Sequence, residues 1–467
     1  MNHLFLVAGG LSALAGHCVA ATVTVTTNTD PSGSNTCPAT CSLRQAIAFA
    51  NANDTITFAP DLVSPIALSQ GELLVDKALT ITGPGAAKLT ISAQSTGRVL
   101  NVDSSQLTLS AVTLADGTVH GSAGSYGAVF GGKGGPGGPA FGGCVMVATS
   151  ATLVLDHAAV RYCRANGGKG GDGAFGQDGY YDNYLFECIP GGSGGNGGAG
   201  GNASGGAILA RGALTITSSS IVDSRATGGA GGSGGLGGGP GSNCPYSNSG
   251  PDGADGPGGP AFGGAIFVDT TASLHVVNST ISGGSANGAG DFPFVGDAKG
   301  GAIFSSGTRA DIEFSTLTGN QVNSDFSFYN SGLAIFATTA TTVLSSVLVD
   351  AQLNVYPSVN LCDGPVAAAV GSVNLSEDTS CSGFTLHDTF AHTFVPLNVN
   401  VTPWPGFIPL LNGPAHDSAV TCKDISSVAV TTDQHDRPRP QGAKCDLGAM
   451  EWQPLDDDPI FADGFGG

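Results

Sequence analysis

Any chemistry in this chain has to come from carboxylates, a few histidines and ten cysteines beyond the N-terminal stretch: Cys37, Cys41, Cys144, Cys163, Cys188, Cys244, Cys362, Cys381, Cys422 and Cys445. Zinc sites need close CxxC or CxxH pairs, and none is present. Cys37 and Cys41 have CxxxC spacing without a second cluster, so an even set of cysteines reads as disulfides in an oxidising compartment. Glutamate occurs only at Glu72, Glu187, Glu313, Glu377 and Glu451. Nearly all the acid is therefore aspartate, a turn former that bonds to nearby backbone. Glycoside hydrolysis needs two carboxylates facing each other across a cleft. Aligning the repeats described below sets Asp156 level with Thr217, Val277 and Glu313, which gives no facing pair along that rank. His157 and His275 sit singly within strand patterns and read as satisfied or exposed histidines rather than bases. Arg437 and Arg439, in "DRPRP", fall outside the repeats, and no Ser-His-Asp or Cys-His set has supporting context. No catalytic residues are assigned.

One metal candidate stands out. "GGKGGDGAF" at Gly167 to Phe175 fits the GGxGxDxUx pattern that binds Ca²⁺ in β-rolls, with Asp172 as the ligand. That mechanism requires stacked copies to share each ion, whereas the other glycine runs carry Asn196 or Ser233 where the aspartate should stand. Ca²⁺ at Asp172 is carried forward as the sole cofactor candidate. With 16 basic against 36 acidic residues and a net charge of −20, nucleic acid and anionic membranes are excluded as partners.

The elements that would position these residues are short strands. Of 467 residues 75 are glycine and 11% are charged, while Val, Ile, Leu and Thr alternate in short blocks, the pattern of half-buried strands. The stretch 1–21 reads as a secretory signal peptide with a small-residue cleavage site, and His17 before Cys18 disfavours a lipoprotein signal. No later stretch has the ~20 apolar residues of a transmembrane helix, so a soluble exported chain is expected.

Four segments then repeat: "GGCVMVATSATLVLDHAAVRYCRAN", "GGAILARGALTITSSSIVDSRAT", "GGAIFVDTTASLHVVNSTISGGSAN" and "GGAIFSSGTRADIEFSTLTGNQVN", with glycine pairs starting at Gly142, Gly205, Gly263 and Gly300. Three short strands per two dozen residues cannot bury an apolar face alone. Stacked at ~4.8 Å they bury a continuous interior, which predicts an all-β fold, a right-handed parallel β-helix over 55–400. Val160, Ile221, Ile281 and Leu317 should form one inward ladder, and Val145, Ile208, Ile266 and Ile303 another. Each glycine pair marks a sharp re-entry turn.

The recurrent "GGAI" followed by "NSTIS" or "FSTLTGN" resembles the right-handed β-helix repeats of bacterial surface proteins, including polymorphic outer-membrane adhesins. "CSLRQAIAFANAND" at Cys41 to Asp54 is similar to the CSLREA segment that opens many such proteins, with Gln45 in place of Glu. "GFIPLLNGPAHDSA" and "DQHDRPRPQGAKCDLGAMEW" resemble the choice-of-anchor Q region that closes them, with His435 and Asp436 in place of Arg-Gly. The resemblance implies an extracellular β-helix, for most members of no proven activity. Independently, Ser42 and Gln45 form a capping box, and Leu43, Ala46, Ile47 and Ala50 share one helical face. Residues 22–54 are thus expected to supply a strand and a helix covering the first coil, with Arg44 in a solvated or capping role.

Between the repeats lie glycine-rich insertions, about 116–141, 166–204, 227–262 and 284–299. Glycine recurs every third residue, which suits an extended helix of three residues per turn. The alternatives are an ordered polyglycine-II-type bundle, its returning legs anchored by the repeated Pro-Ala-Phe, or flexible loop. If the legs run parallel, Cys188 and Cys244 near neighbouring tips should pair. Cys144 with Cys163 would close one coil, and local pairing gives Cys37 with Cys41, Cys362 with Cys381 and Cys422 with Cys445. Residues 401–452 close the fold, and the acidic, aromatic tail 453–467 reads as a sorting or secretion tag. The functional expectation is an exported structural or adhesive surface protein whose partner is a surface glycan or a host or matrix protein. The alternative is a pectate-lyase-like polysaccharide-active enzyme or glycan-binding protein.

Overall fold

The computed structural model describes residues 20–32, 37–241, 244, 248–290, 294–324, 330–349, 359–394 and 406–453. Their strands stack into two ten-stranded sheets, one of eight and two of five, with a separate two-stranded hairpin. In the coil opened by Gly142, Val145–Val147 belongs to the eight-stranded sheet III, Thr152–Asp156 to the ten-stranded sheet I and Ala159–Arg161 to the ten-stranded sheet II. Every pairing within the five stacked sheets is parallel, and the fold is a right-handed parallel β-helix. Expected inward ladders appear in register: Val160 with Ile221, Ile281 and Leu317, and Val145 with Ile208, Ile266 and Ile303. All eight residues are fully buried, because side chains alternate across a strand and the inward set has only its stacked neighbours to pack on.

Each complete coil carries five strands rather than the three that alternation suggests. The extra ones, Ala140–Phe141 and Arg164–Asn166 in the same coil, belong to the five-stranded sheets V and IV and flank the root of the glycine-rich insertion. They are too short to show a period, so only the Pro-Ala-Phe repeat betrays one of them.

Two geometric needs explain the glycine pairs. The first glycine turns with positive φ, +54° at Gly142 and +61° at Gly263. The second faces the coil wall: a Cβ on Gly264 would lie 2.4 Å from the backbone of Ser285. The serine of "NSTIS" and "FSTLT" is likewise structural. Ala158 N donates to Ser219 Oγ (3.0 Å), Ser219 N to Ser279 Oγ (3.1 Å), Ser279 N to Ser315 Oγ (3.3 Å) and Ser315 N to Ser346 Oγ (3.1 Å). This ladder satisfies buried amides at the corner between sheets I and II.

The helix Leu43–Phe49 has the expected capping box between Ser42 and Gln45, and packs Leu43, Ala46 and Ile47 into the end of the core. Arg44 departs from the solvated role. Its guanidinium grips both oxygens of Asp30 (2.8 and 3.0 Å) and donates to Glu72 O (2.8 Å), which fastens the helix to the first coils. Asp30 consequently titrates below the usual carboxylate range: its bonds from Arg44, Gln70 and Ser69 outweigh burial, the largest single influence, which acts in the opposite sense.

Beyond residue 406 the chain packs on the outside of the stack and builds a second core. Phe407, Ala415, Cys445 and Leu447, joined by Phe394 from before that segment, meet Phe314 and Val347 of the coils. Arg439 is buried there, 3.0 Å from Glu451 and 5.0 Å above the Phe314 ring. Among the described residues no helix is long and apolar enough to cross a membrane.

Candidate functional site

Extended three-residue helices make no internal hydrogen bonds, so their amides are free to bond to neighbouring legs. In the insertions they do so systematically. Gly256 N donates to Gly232 O, Gly232 N to Gly198 O, Gly198 N to Gly171 O and Gly171 N to Gly135 O, each at 2.8 Å, and Gly135 N reaches Ser125 O at 2.7 Å. One path thus threads six legs of three insertions, and the ordered bundle, not the flexible loop, is what forms.

Legs lie close enough that no side chain fits between them: a Cβ on Gly171 would sit 1.9 Å from Ser125 O. In the inner legs two residues of each triplet therefore have to be glycine or another small residue, while an outer leg keeps one glycine per triplet, as in Gly250-Pro251-Asp252. The third points outward, as Lys169, Asp172, Phe175 and Asp178 do along one leg. Its amide takes no lattice bond, so proline is tolerated there, and Pro251 O and Pro257 O still accept from Gly194 N (2.9 Å) and Gly200 N (2.8 Å).

Outward aspartates bond to amides that the lattice leaves free. Asp172 Oδ1 accepts from Ser233 N (2.9 Å) and from Lys169 Nζ (3.0 Å), bonds that hold its carboxyl below the ordinary range. Asp178 accepts from Gly239 N, and Asp252 and Asp255 accept from Gly237 N and Gly234 N, all at 2.8 Å. The metal candidate of the sequence is thus one rung in a series of carboxylate-to-amide bonds that joins neighbouring legs.

The bundle ends in an apolar tip. Gly131 N donates to Phe175 O (2.8 Å), which sets the first insertion's turn, with Val129 and Phe130, at the level of Phe175. The second insertion continues past it into an antiparallel hairpin, Tyr180–Asp182 with Glu187–Ile189. Asp182 Oδ1 accepts from Tyr184 N (2.7 Å) and Leu185 N (3.1 Å) and fixes the apex. Cys188 on the hairpin is bonded to Cys244 of the third insertion, Cα atoms 5.6 Å apart. The other cysteines pair as 37–41, 144–163, 362–381 and 422–445, and five bridges fit an oxidising environment. Among the described residues, ten of the nineteen large apolar side chains left exposed lie in the first three glycine-rich insertions. Apolar exposure is therefore concentrated on the bundle. Tyr184, Leu185 and Phe186 are 95%, 64% and 79% exposed.

A second constellation lies on sheet I. Asp311 and Glu313 share the outward face of one strand, and His275 stands opposite Asp311 in the preceding coil. Following the rank of Asp156 alone misses this group; the alternation in "RADIE" is the signal that exposes it. His275 is not isolated. Its Nε2 bonds Glu313 Oε1 at 2.8 Å, which raises its pKa against the opposing effect of burial. Glu313 is fully buried, and its other oxygen accepts from Ile425 N at 2.7 Å. Asp311 is ion-paired to Arg309. His275, Asp311, Arg309 and Ile425, with Thr215, Ser273 and Ser426, line a concavity of about 230 Å³. Chemically it offers one oriented imidazole. The carboxylate behind it is fully occupied, so it lacks the pair of free acids that glycoside hydrolysis needs.

His157 is paired as well, with Asp156 (2.8 Å) and with Asp436 (2.9 Å). Asp436 adopts φ +63°, the left-handed conformation that glycine occupies most easily. No family model matches the chain, and no curated protein matches it in sequence. Among solved structures, the crystal structure of pectate lyase Pel9A matches at 12% identity with a TM-score of 0.34, covering 94% of this chain and 98% of that one. A likeness of that degree carries no function.

Proposed function

We propose that this chain is an exported structural or adhesive surface protein in which the β-helix is a rigid stand and the glycine bundle presents an apolar tip to another surface. The observation that carries this reading is the tip itself. A leg from Gly167 to Gly179 extends roughly 37 Å at about 3.1 Å per residue, ordered by lattice bonds and a disulfide, and ends in side chains that none of the described residues covers. Large exposed apolar patches on soluble proteins mark interaction sites. The signal-like stretch 1–21, the CSLREA-like segment and the choice-of-anchor Q-like region support export and surface location. The tail, with Phe461 and Phe465, lies outside the described residues.

The test is adhesion of beads coated with the purified chain to cells and to immobilised glycans or matrix proteins, comparing wild type with Tyr184→Ser/Phe186→Ser. Equal adhesion by both, or none by either, would overturn the reading. The runner-up, a polysaccharide-active or glycan-binding protein, is favoured by the His275 concavity. Product release from a polysaccharide panel, with and without Ca²⁺, and its loss in His275→Ala, would establish it instead.

A further inference from the structure

We infer that the hairpin apex Tyr184, Leu185 and Phe186 is a wedge that inserts into the interface of an electrically neutral lipid surface. This rests on the adhesive reading and names its partner. Shape argues first: the apex is the turn of an antiparallel hairpin, and residues exposed to 95%, 64% and 79% form a projection. Sugars are bound in concave or flat sites by ring faces flanked by polar groups. Composition argues next, because Leu185, with Val129 below it, offers neither a ring face nor a hydrogen bond.

Apolar atoms flanked by tyrosine at the level of the stem, here Tyr180 and Tyr181, form the amphipathic series that enters a headgroup boundary. Charge selects the kind of lipid. From Gly170 to Ala210 there is no Lys or Arg, while Asp178, Asp182 and Glu187 surround the hairpin, so anionic headgroups are repelled and zwitterionic ones are not. Rigidity completes the case. Asp182 fixes the apex backbone, and the Cys188–Cys244 bridge fixes the hairpin, so little ordering entropy is lost on insertion.

The experiment is flotation of the full chain with phosphatidylcholine vesicles, alongside vesicles containing phosphatidylserine. Wild type should float with the neutral vesicles, more weakly with the anionic ones, and insensitively to high salt. Leu185→Ser/Phe186→Ser should lower binding by about ten-fold or more, while Val370→Ser, still more exposed but on the β-helix, should not. Circular dichroism melting of all variants checks that they fold. Absence of flotation, equal binding by the apex variant, or a preference for the anionic vesicles would overturn the inference. If the apex variant loses bead adhesion while wild type ignores vesicles, or soluble glycan or protein competes the adhesion away, the lipid partner is wrong and the adhesive reading stands. If wild type neither floats nor adheres, both fail.

Discussion

His157 on a β-helix corner and Asp436 in the closing region are 279 positions apart in sequence, yet His157 Nε2 lies 2.9 Å from Asp436 Oδ1. It is one of several ties that hold the closing region on the coils. Asn278 Nδ2 donates to Thr432 O (2.8 Å), Ala449 N to Thr316 Oγ1 (3.0 Å), and Ile425 N to the Glu313 carboxylate (2.7 Å). The region thus grips the stack along its length and is not a loose tail.

Because Asp156 bonds its other nitrogen and Asp436 adds a second bond, His157 is raised from 6.5 to about 9, burial opposing both. A raised histidine favours the folded state fully below its unfolded value and loses that contribution as pH rises through the folded value. Melting temperature should therefore decline from near neutral pH towards pH 9 and above. In Asp436→Asn this decline should shrink and the ring protons of His157 should titrate lower by NMR. An unchanged titration in that variant would show that the tie to the closing region does not form.

Lattice spacing gives a sharper contrast. Gly171→Ala puts a methyl group 1.9 Å from Ser125 O, whereas a Cβ on Gly239 has only the flexible Asp178 carboxylate at 3.5 Å. The first change should strip hydrogen-exchange protection from the amides of Gly135, Gly171 and Gly198. The second should leave it intact. Equal protection in both variants would mean that the legs lie far enough apart to admit a methyl group.

Inside the stack, Ile266→Asp buries a charge at a position with no solvent exposure, while Thr270 is exposed in a turn of the same coil. An unpaired buried charge belongs to the class of changes costing about 4 kcal/mol or more, so Ile266→Asp should unfold the chain or lower its melting temperature severely. Thr270→Asp should be nearly neutral. Matching melting temperatures would contradict the inward ladder.

These ladders were legible because period-two alternation decides which side chains turn inward, and the glycine pairs fix where each coil begins. Cysteine positions carried similar information, since bridges join positions that the coils and insertions already bring together. Alternation says nothing, however, about what covers an outward rank. Glu313 and Phe314 are buried by a segment that begins about a hundred residues later, so the pairing of His275 with Glu313 and the burial of Arg439 on Phe314 depend on long-range packing. The triplet period suggested the glycine lattice, but its legs bond to other insertions as well as within their own, and register between separate loops leaves no local mark.

The tip can be separated from the lattice by its disulfide. Cys188 and Cys244 are 56 positions apart in sequence, and their Cα atoms are 5.6 Å apart. Closing a loop of that size removes entropy worth about 4 kcal/mol from a fully unfolded chain. The legs are already registered by bonds such as Gly179 N to Gly239 O (2.8 Å) and Gly192 N to Gln177 O (2.8 Å), so losing the bridge should be felt mainly beyond them. In Cys188→Ser/Cys244→Ser, amides from Gly167 to Gly176 should keep their exchange protection, while chymotrypsin should cut within 180–189 many times faster than in wild type, at the exposed Tyr184 or Phe186. Loss of protection down to Gly167 would mean that the disulfide, not the glycine lattice, holds the insertions together. Unchanged cleavage at the apex would mean that the hairpin is rigid without its bridge.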